Sequence, residues 1–458
     1  MTYFYTFFYA VLLIFYLPLF FLRFRGKKKE RLDLGSRLTL KLPAASGEKP
    51  CLWLHAVSVG EVLSLQRLIG RFRERHPSWR LIITSLTPAG IRLAREKLGS
   101  RAEIWPVPVD LPWSLQRFFR QVKPRVLALT ESEFWPNLIH LARKNCVPVI
   151  LINGRISERS FRRMKRFRHL FLPVLNQIQL FLVQSERERE RLIELGLPEN
   201  RIIVAGNLKA DIELPRFEES EKFDWRQKLG LSDRDRIITA GSTHPGEEQK
   251  ILRAFAELRE KKKEVRLIVA PRHPARWAEI AAFCSQAALP WQIWSRLKNG
   301  HQFAEPVASS WEVLIVDTLG DLPFFYFLAD LALVGGSFVP RGGHNLLEPA
   351  FYGKPIIFGI HMENFAFLAQ YFLEKGAALM VSEESELVEV FERIEDEELK
   401  RMGERARATL KELEGATERT LAVLEEFMKK KENQEGNRPD QEWWKNKGLD
   451  LTSGLISG

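Results

Sequence analysis

Residues 58–61 (SVGE) place a carboxylate where a predicted strand gives way to a helix. Gly60 lets the backbone approach a ligand closely. Glu61 stands at the predicted start of the helix, where the helix dipole favours a negative charge. A carboxylate held ionised at a strand end is suited to act as a general base. The alternative that stays open is that Glu61 only stabilises the first turn of its own helix.

Two further carboxylates and a basic run follow later strands of the first half. Glu131 and Glu133 either position substrate hydroxyls or cap the next helix, and the sequence favours neither role. The basic run suits phosphate or anionic lipid headgroups, with a solvated helix face as the alternative. Nucleic acid is disfavoured because the interleaved aromatic residues of a base-stacking surface are absent. The run comprises Arg155, Arg159, Arg162, Arg163, Lys165, Arg166 and Arg168.

Three loops of the second half suit a nucleotide. The loop GSTHPGEE (241–248) follows a strand, and its hydroxyls and backbone N–H groups form an anion site at the start of a helix. Arg272 follows the next strand and suits bidentate contact with phosphate. In GGSFVPRGGHNLLEPA (335–350), glycines allow close backbone approach and Glu348 suits a ribose diol. Each loop alone could be a tight turn, but three at successive strand ends favour a phosphate ligand.

Other chemistries have little support. The spacing G-x-x-x-x-G-K-[ST] of a nucleoside-triphosphate loop is missing, so ATP or GTP hydrolysis is not indicated. No G-x-S-x-G segment supports a serine hydrolase. Four histidines of the second half lack the spacing of a zinc motif, so we expect no catalytic metal. They are His244, His273, His344 and His361.

Short apolar runs separated by helical patterns must position these residues. Their alternation predicts an α/β protein with parallel sheets built from β-α-β units, and the two series predict two doubly wound domains. The first series is Cys51–Val57, Leu81–Leu86, Ile104–Val107, Val126–Thr130, Val147–Ile152, Leu180–Gln184 and Ile202–Ala205. The second is Ile237–Ala240, Arg266–Ala270, Trp291–Trp294, Val313–Val316, Leu331–Val334, Pro355–Phe358 and Ala378–Val381.

Length and composition fit this organisation. The chain has 458 residues, of which 28% are charged and 11% aromatic, and this excludes a disordered chain or a polytopic membrane protein. A net charge of +11 favours anionic partners, and three distant cysteines fit a reducing compartment. We expect an N-terminal domain at 26–212, a polar linker at 213–224, a C-terminal domain with closing helices at 225–430, and a flexible tail at 431–458.

The N-terminal segment is predicted to anchor the chain in a membrane. Residues 3–22 are apolar apart from a threonine and a proline, and about 20 such residues span the hydrocarbon core. The cations at 23–31 keep the body on the cytoplasmic side by the positive-inside rule. We therefore expect a single-pass anchor within residues 1–25, with Tyr5 and Tyr9 at the far interface. An interfacial or buried helix is the alternative.

Together the motifs resemble those of the 3-deoxy-D-manno-oct-2-ulosonic acid (Kdo) transferases of lipopolysaccharide synthesis. The resemblance runs from the N-terminal segment to about residue 415, and the motifs occur in the family's order. They are SVGE (58–61), ESEFWPN (131–137), NGRISERS (153–160), GNLKAD (206–211), GSTHPGEE (241–248), PRHPAR (271–276), DTLGDL (317–322) and GGSFVPRGGHNLLEPA (335–350).

The resemblance implies a GT-B glycosyltransferase with two Rossmann-like domains facing a cleft. It implies CMP-Kdo as the donor, bound by the C-terminal domain, and the lipid A precursor lipid IVA as the acceptor. The family inverts the anomeric centre and is regarded as metal-independent, so no cofactor is expected. A location at the inner membrane is implied as well, through the anchor and the basic run.

Site residues carry over from the matching motifs. Glu61 matches the family's general base. The implied donor-binding residues are Ser242, Thr243, Arg272, Ser337, Asn345 and Glu348. The implied acceptor residues are Ser58, Gly60, Glu131, Glu133, Arg155 and Lys209. Pro245 and Phe134 depart from the residues that are usual in the family, but neither touches a group assigned to chemistry.

Two other functions fit parts of the sequence. A nucleotide-sugar epimerase on the same fold would make a soluble sugar product without lipid, which the membrane anchor argues against. A non-catalytic membrane protein would bind anionic lipid but would form no product with any activated sugar.

Overall fold

The computed structural model of the chain describes residues 5–13, 33–45, 47, 49–262, 264–299, 311–393 and 396–432. The chain divides into two units. Unit 1 comprises Met1–Asp211 and Leu413–Gly458, and unit 2 comprises Ile212–Glu412. Apart from its first two residues, the predicted tail at 431–458 lies outside the described residues.

Unit 1 is built on seven parallel strands. They are β1 (Cys51–His55), β2 (Arg80–Ser85), β3 (Glu103–Pro106), β4 (Val126–Thr130), β5 (Val149–Gly154), β6 (Leu180–Val183) and β7 (Ile202–Val204). Their order is β3-β2-β1-β4-β5-β6-β7. Every residue of β1, β2 and β4 is buried, because helices cover both faces of a parallel sheet. The strand order reverses between β1 and β4, and ligands bind in the crevice that such a switch point opens.

Unit 2 repeats this plan with seven further parallel strands. They are β8 (Arg236–Thr243), β9 (Val265–Pro271), β10 (Trp291–Ile293), β11 (Val313–Ile315), β12 (Leu331–Val334), β13 (Ile356–Phe358) and β14 (Leu379–Met380). Their order is β10-β11-β9-β8-β12-β13-β14, so the switch point lies between β8 and β12. The loops that follow these two strands therefore meet at one edge of the sheet.

Helices connect the strands of both sheets. Those before the second sheet are α1 (Leu34–Arg37), α2 (Val59–Ser64), α3 (Gln66–Arg75), α4 (Pro88–Leu98), α5 (Pro112–Val122), α6 (Pro136–Lys144), α7 (Glu158–Arg166), α8 (Arg168–Leu175) and α9 (Glu186–Glu194). The later ones are α10 (Glu219–Lys228), α11 (Glu248–Lys261), α12 (Trp277–Gln286), α13 (Trp294–Asn299), α14 (Leu322–Leu328), α15 (Leu347–Phe351), α16 (Ala366–Glu374), α17 (Glu384–Glu392), α18 (Glu397–Leu413) and α19 (Ala416–Glu432). Short 3-10 turns cover Glu199–Arg201, Leu208–Ala210, Pro274–Arg276 and Glu363–Phe365.

All the apolar runs that the sequence singles out are strands. Their ends differ from the predicted ends by at most 3 residues, the largest difference being at β8, which continues to Thr243. The pairing is parallel throughout both sheets. The predicted α/β architecture with two doubly wound sheets is therefore confirmed.

The described part of the N-terminal segment packs against unit 1. Residues 5–13 form a helix, and positions 14–32 of the predicted anchor region lie outside the described residues. Among the helices that the structure describes, none is long and apolar enough to cross a membrane. The Thr6 hydroxyl donates a hydrogen bond to Asn137 Oδ1 (3.0 Å), and Tyr5 lies beside the buried Asp110. The sequence predicts Tyr5 at the far membrane interface, whereas the structure places it against the body, where Asp110 offers it a hydrogen-bond acceptor.

The C-terminal helix α19 belongs to unit 1, not to the C-terminal domain predicted at 225–430. Its apolar residues Leu424 and Phe427 share one core with Phe72 of α3. The prediction failed because a helix packs where its apolar face is buried, and for α19 that place is the core of unit 1. The predicted linker at 213–224 is also part of unit 2, because α10 begins inside it.

Asp211 fastens the start of α19 to unit 1. Its Oδ1 accepts a hydrogen bond from the backbone N–H of Gly415 (2.6 Å), and its Oδ2 accepts one from that of Thr417. Backbone N–H groups at the start of a helix have no partner within the helix, so this carboxylate acts as a cap supplied by a distant part of the chain.

Asp211→Ala should loosen α19. The variant leaves the two N–H groups without their acceptor, which costs about 1–2 kcal/mol. We expect faster hydrogen exchange at residues 416–428, measured by mass spectrometry, with unchanged protection of β8. Asp233→Ala, which removes an exposed carboxylate of unit 2, is the matched control. Equal exchange at 416–428 in wild type and Asp211→Ala would show that the cap does not hold the helix.

Candidate functional site

Ser58 and Glu61 cap helix α2 reciprocally. The Ser58 hydroxyl accepts a hydrogen bond from the backbone N–H of Glu61 (3.3 Å), and Glu61 Oε1 accepts one from that of Ser58 (3.1 Å). This capping box starts the helix at Val59. The predicted start at Glu61 is therefore two residues late, because Ser58 is the capping residue and Glu61 already lies inside the first turn.

The Glu61 carboxylate is held by three donors from two strand ends. Its Oε2 accepts hydrogen bonds from the backbone N–H of Val57 (2.9 Å) and from the hydroxyl of Thr130 (2.5 Å), in addition to the bond from Ser58 to Oε1. Glu61 is only 5% exposed. The carboxylate thus joins the end of β1 to the end of β4, which is the stabilising role that the sequence left open beside that of a general base.

A partly exposed ion pair lies over the start of α2. Lys209 Nζ is 3.4 Å from Glu131 Oε1 and 3.7 Å from the position that a Cβ on Gly60 would occupy. The backbone oxygen of Glu131 accepts a hydrogen bond from the N–H of Arg155 (3.3 Å). Glu131 has a φ of +54°, a strained conformation that costs of order 1 kcal/mol and that the surrounding contacts must maintain. The predicted acceptor residues that follow β1, β4, β5 and β7 are thereby brought together.

Glu133 is a third carboxylate of this group. Its Oε2 accepts a hydrogen bond from the indole N–H of Trp135 (2.8 Å). Burial raises the pKa of Glu133, the indole lowers it, and the negative charges of Glu61 and Glu131 raise it further. Three carboxylates therefore converge at the switch point of unit 1, and their mutual repulsion favours a proton or a cationic group among them.

The basic run is partly neutralised by its own surroundings. On α7, Arg162 pairs with Glu158 (2.9 Å), and Arg191 of α9 contacts the same carboxylate. Lys165 pairs with Glu194. Arg162 and Lys165 are exposed, so their ion pairs add little stability and these two cations stay accessible to an anionic surface.

In unit 2, the two polar residues at the end of β8 have different surroundings. Thr243 is buried, and its hydroxyl donates a hydrogen bond to Glu248 Oε1 (3.1 Å), which also pairs with Arg276 (2.6 Å). Ser242 is half-buried and has a φ of +58°. Of the two predicted donor-binding hydroxyls, that of Thr243 is therefore committed to the loop itself.

Glu247 ties the loop after β8 to the loop after β12. Its Oε1 accepts hydrogen bonds from the backbone N–H groups of His244 (2.7 Å) and Gly336 (2.6 Å), and its Oε2 accepts one from that of Phe338 (3.3 Å). Burial raises the pKa of Glu247 to about 7, against the effect of these donors. The sequence gives no sign of this role, because the donors are backbone groups of a loop about 90 residues away.

Ser337 stabilises the loops rather than facing solvent. It is fully buried, its hydroxyl donates a hydrogen bond to the backbone oxygen of Val334, and it accepts one from the N–H of Gly359 (2.8 Å). It therefore joins the end of β12 to the end of β13. A direct contact between this hydroxyl and a donor substrate, as the family resemblance implies, would require one of these bonds to be replaced.

Asn345 and Glu348 form the polar start of α15. Asn345 Nδ2 donates a hydrogen bond to Glu348 Oε1 (3.4 Å), and its Oδ1 accepts one from the N–H of Leu347 (3.1 Å). Burial raises the pKa of Glu348, whereas Asn345 and the positive charge of Arg272 lower it. The influence of Arg272 on Glu348 shows that these two predicted donor-binding residues lie near each other.

Two histidines that the sequence suggested only as metal ligands meet in unit 2. His244 Nε2 and His344 Nε2 are 2.8 Å apart, and the ring planes differ by 5°. His244 follows β8 and His344 follows β12, the neighbouring strand. Within the described ranges, no three or more histidine, cysteine, aspartate or glutamate side chains are grouped to hold a metal ion. The sequence signal that could have predicted this contact is that both histidines stand in glycine-containing loops at adjacent strand ends.

Known proteins with similar sequences include several Kdo transferases. Residues 28–212 match the family described as 3-Deoxy-D-manno-octulosonic-acid transferase (kdotransferase). The 3-deoxy-D-manno-octulosonic acid transferase of Chlamydia muridarum is 32% identical, over 85% of this chain and 88% of that protein. That of Haemophilus influenzae is 31% identical, over 83% and 87%. A bifunctional glycosyltransferase/methyltransferase of Fusobacterium nucleatum is 33% identical over 81% of this chain, which spans 56% of its length.

Solved structures share the fold at much lower identity. Acinetobacter baumannii MurG has a TM-score of 0.52 and 13% identity, over 82% of this chain and 99% of that one. A putative UDP-N-acetylglucosamine 2-epimerase from Listeria monocytogenes has a TM-score of 0.50 and 12% identity, over 83% and 97%. These similarities show a GT-B-like pair of α/β units. At such low sequence identity they say nothing about the reaction.

Buried His55 makes the chain sensitive to mild acid. It is fully buried at the end of β1, its Nδ1 is 3.0 Å from Thr84 Oγ1, and burial lowers its pKa to about 4. The unfolded chain binds a proton at this histidine near pH 6.5, whereas the folded chain does so only near pH 4. Stability that is present above pH 6.5 is therefore lost as the pH falls, by about 2 kcal/mol between pH 6.5 and pH 5.

His55→Asn should remove part of this pH dependence. Asparagine keeps a polar atom near the position of Nδ1 but does not titrate. We expect the free energy of unfolding, measured by urea denaturation, to fall less between pH 7 and pH 5 than in wild type, by about 2 kcal/mol. His140→Asn, at an exposed position, should fall as wild type does. An equally large fall in His55→Asn would contradict the assignment.

Proposed function

This chain belongs to the Kdo transferase family, and on that premise we propose that it moves Kdo from CMP-Kdo onto lipid IVA with inversion of the anomeric centre. The family makes the chain a glycosyltransferase that transfers Kdo in lipopolysaccharide synthesis. The acceptor, the stereochemistry and the roles of individual residues are the proposed part. Unit 1 serves the acceptor and unit 2 serves the donor.

The convergence of strand-end groups around Glu61 is the observation that carries this proposal. Inverting transfer needs a single base that takes the proton from the attacking hydroxyl. Glu61 serves as that base, and its three donors keep the carboxylate in one orientation so that it need not reorganise during the reaction. Lys209 and Arg155 attract the anionic acceptor, and Glu131 and Glu133 bind its hydroxyls.

The switch point of unit 2 suits the donor. The departing CMP carries a phosphate, which backbone N–H groups at strand ends and a guanidinium stabilise. Ser242 and Arg272 contact the phosphate, and Asn345 and Glu348 bind the ribose. The positive charge of Arg272 lowers the pKa of Glu348, and this supports a phosphate partner close to a ribose partner.

The acceptor is a lipid, so the reaction takes place at a membrane surface. We place the body at the cytoplasmic face of the inner membrane. The apolar residues 3–22, the cations that follow them and the accessible basic run around α7 support this location. Phe7, Phe8 and Leu12 of the N-terminal helix are exposed and suit an apolar surrounding.

Glu61→Gln tests the base directly. We expect transfer of Kdo from CMP-Kdo to lipid IVA to fall at least a hundredfold, because an amide cannot accept the proton. Mass spectrometry of the lipid product measures both the activity and the number of Kdo residues added. CMP binding should persist, because the donor site lies in unit 2. Glu74→Gln, at an exposed glutamate of α3, should keep full activity.

Ser58→Ala separates the base from the cap. It weakens the same capping box by about 1 kcal/mol but keeps the carboxylate. If Glu61→Gln transfers Kdo as fast as wild type while both variants are less stable, Glu61 acts as a cap and not as a base. The same assay distinguishes the other functions, since an epimerase would yield a soluble sugar without lipid, and a lipid-binding protein would yield no product.

A further inference from the structure

The contact between His244 and His344 fixes how many protons the pair holds. Two ring nitrogens 2.8 Å apart form a hydrogen bond only if one of them carries a hydrogen. When both rings are neutral, the donor ring has a free lone pair on Nδ1. One further proton can bind there without breaking the contact, whereas two would place N–H against N–H. The pair therefore has room for a single additional proton.

The pair is held rigidly between two loops. Glu247 binds the backbone N–H groups of His244 and Gly336 and so fixes the spacing of the loops. Gly336 packs against both rings, and a Cβ there would lie 2.9 Å from His344 Cδ2 and 3.4 Å from His244 Cδ2. The absence of a side chain at position 336 is thus what lets the edges of the two rings meet. The contact is a feature of the fold and not a chance rotamer.

The charges that act on the two histidines of the pair are positive. Burial, together with the neighbouring His244, Arg272 and His273, lowers the pKa of His344 to about 4. Burial also lowers the pKa of His244, with contributions from positive side chains. The charged side chains that act on the pair are Arg272, His273 and Arg276 after β9 and Arg341 after β12. The carboxylates next to them are Glu247 and Glu248 after β8. Glu247 and Glu248 are already occupied by backbone N–H groups and by Arg276.

On the basis of the proposed function, we propose that His244 and His344 take up one proton together when the phosphate of the nucleotide binds, and that this proton stabilises the departing phosphate. An arriving anion cancels the positive surroundings that keep the pair neutral. The pair, with one extra proton, then carries a positive charge next to the phosphate.

The reaction creates the charge that this proton meets. The phosphodiester of the donor carries one negative charge, and the acceptor hydroxyl attacks the anomeric carbon bound to it. The bond from that carbon to the phosphate oxygen breaks, and its electron pair stays on the oxygen, so CMP leaves as a dianion. The hydroxyl proton goes to Glu61. The proton on the histidine pair remains in unit 2, where it neutralises the new charge or moves onto the phosphate, whose second pKa is about 6.

Calorimetry of the full-length protein tests the proton uptake. CMP is titrated at pH 7.5 in buffers that differ in ionisation enthalpy, and the slope of the observed enthalpy gives the protons bound. We expect nearly one proton per CMP in wild type and none for cytidine, which lacks the phosphate. His344→Gln keeps a hydrogen-bonding group but does not titrate, so its uptake should fall close to zero, as should that of His244→Gln. His140→Gln in unit 1 should behave as wild type.

The outcomes separate this inference from the proposed function. CMP binding without proton uptake in wild type, or full uptake in both His244→Gln and His344→Gln, overturns the role of the pair and leaves Kdo transfer intact. A wild-type protein that neither binds CMP nor transfers Kdo overturns both. A merely structural role for the histidines would weaken binding in the variants without changing the number of protons per bound CMP.

Discussion

A buried carboxylate that accepts backbone N–H groups holds the functional loops of each unit. In unit 1, Glu61 binds the N–H groups after β1 and the hydroxyl of Thr130 at the end of β4. In unit 2, Glu247 binds N–H groups after β8 and β12. Parallel strands leave such groups unpaired where the chain leaves the sheet, and a buried carboxylate must itself be satisfied. The backbone groups and the carboxylate therefore satisfy each other, and their hydrogen bonds fix the positions of the strand ends.

This constraint makes stability and chemistry depend on the same atoms. The bonds that begin α2 hold the carboxylate of Glu61 in one position, and the bonds of Glu247 fix the spacing of the two histidines of unit 2. Glu131 is another example. Its backbone is strained, and its side chain forms an ion pair with Lys209 that the surrounding loops maintain. A preorganised site of this kind does not spend free energy on reordering its own dipoles during the reaction.

The sequence predicted the sheets, and it failed where distant segments meet. Apolar runs flanked by helical patterns are a local signal, so the strands were found within a few residues. The acceptor residues follow successive strands, and parallel topology alone brings them to one edge. The return of α19, the bonds made by Glu247 and the contact of His244 with His344 depend on pairings across about 90 residues or more. No periodicity or spacing in the sequence encodes such pairings.

The return of α19 to unit 1 also governs the order in which the chain can fold during its synthesis. The ribosome releases the seven strands of unit 1 first, but the core they form still lacks Leu424 and Phe427. Unit 2 is an uninterrupted segment and is able to fold as soon as it has emerged. Part of the apolar surface of unit 1 therefore stays uncovered until α19 has been translated. In the nascent chain, the N-terminal part therefore exposes apolar surface for longer than the part that forms unit 2.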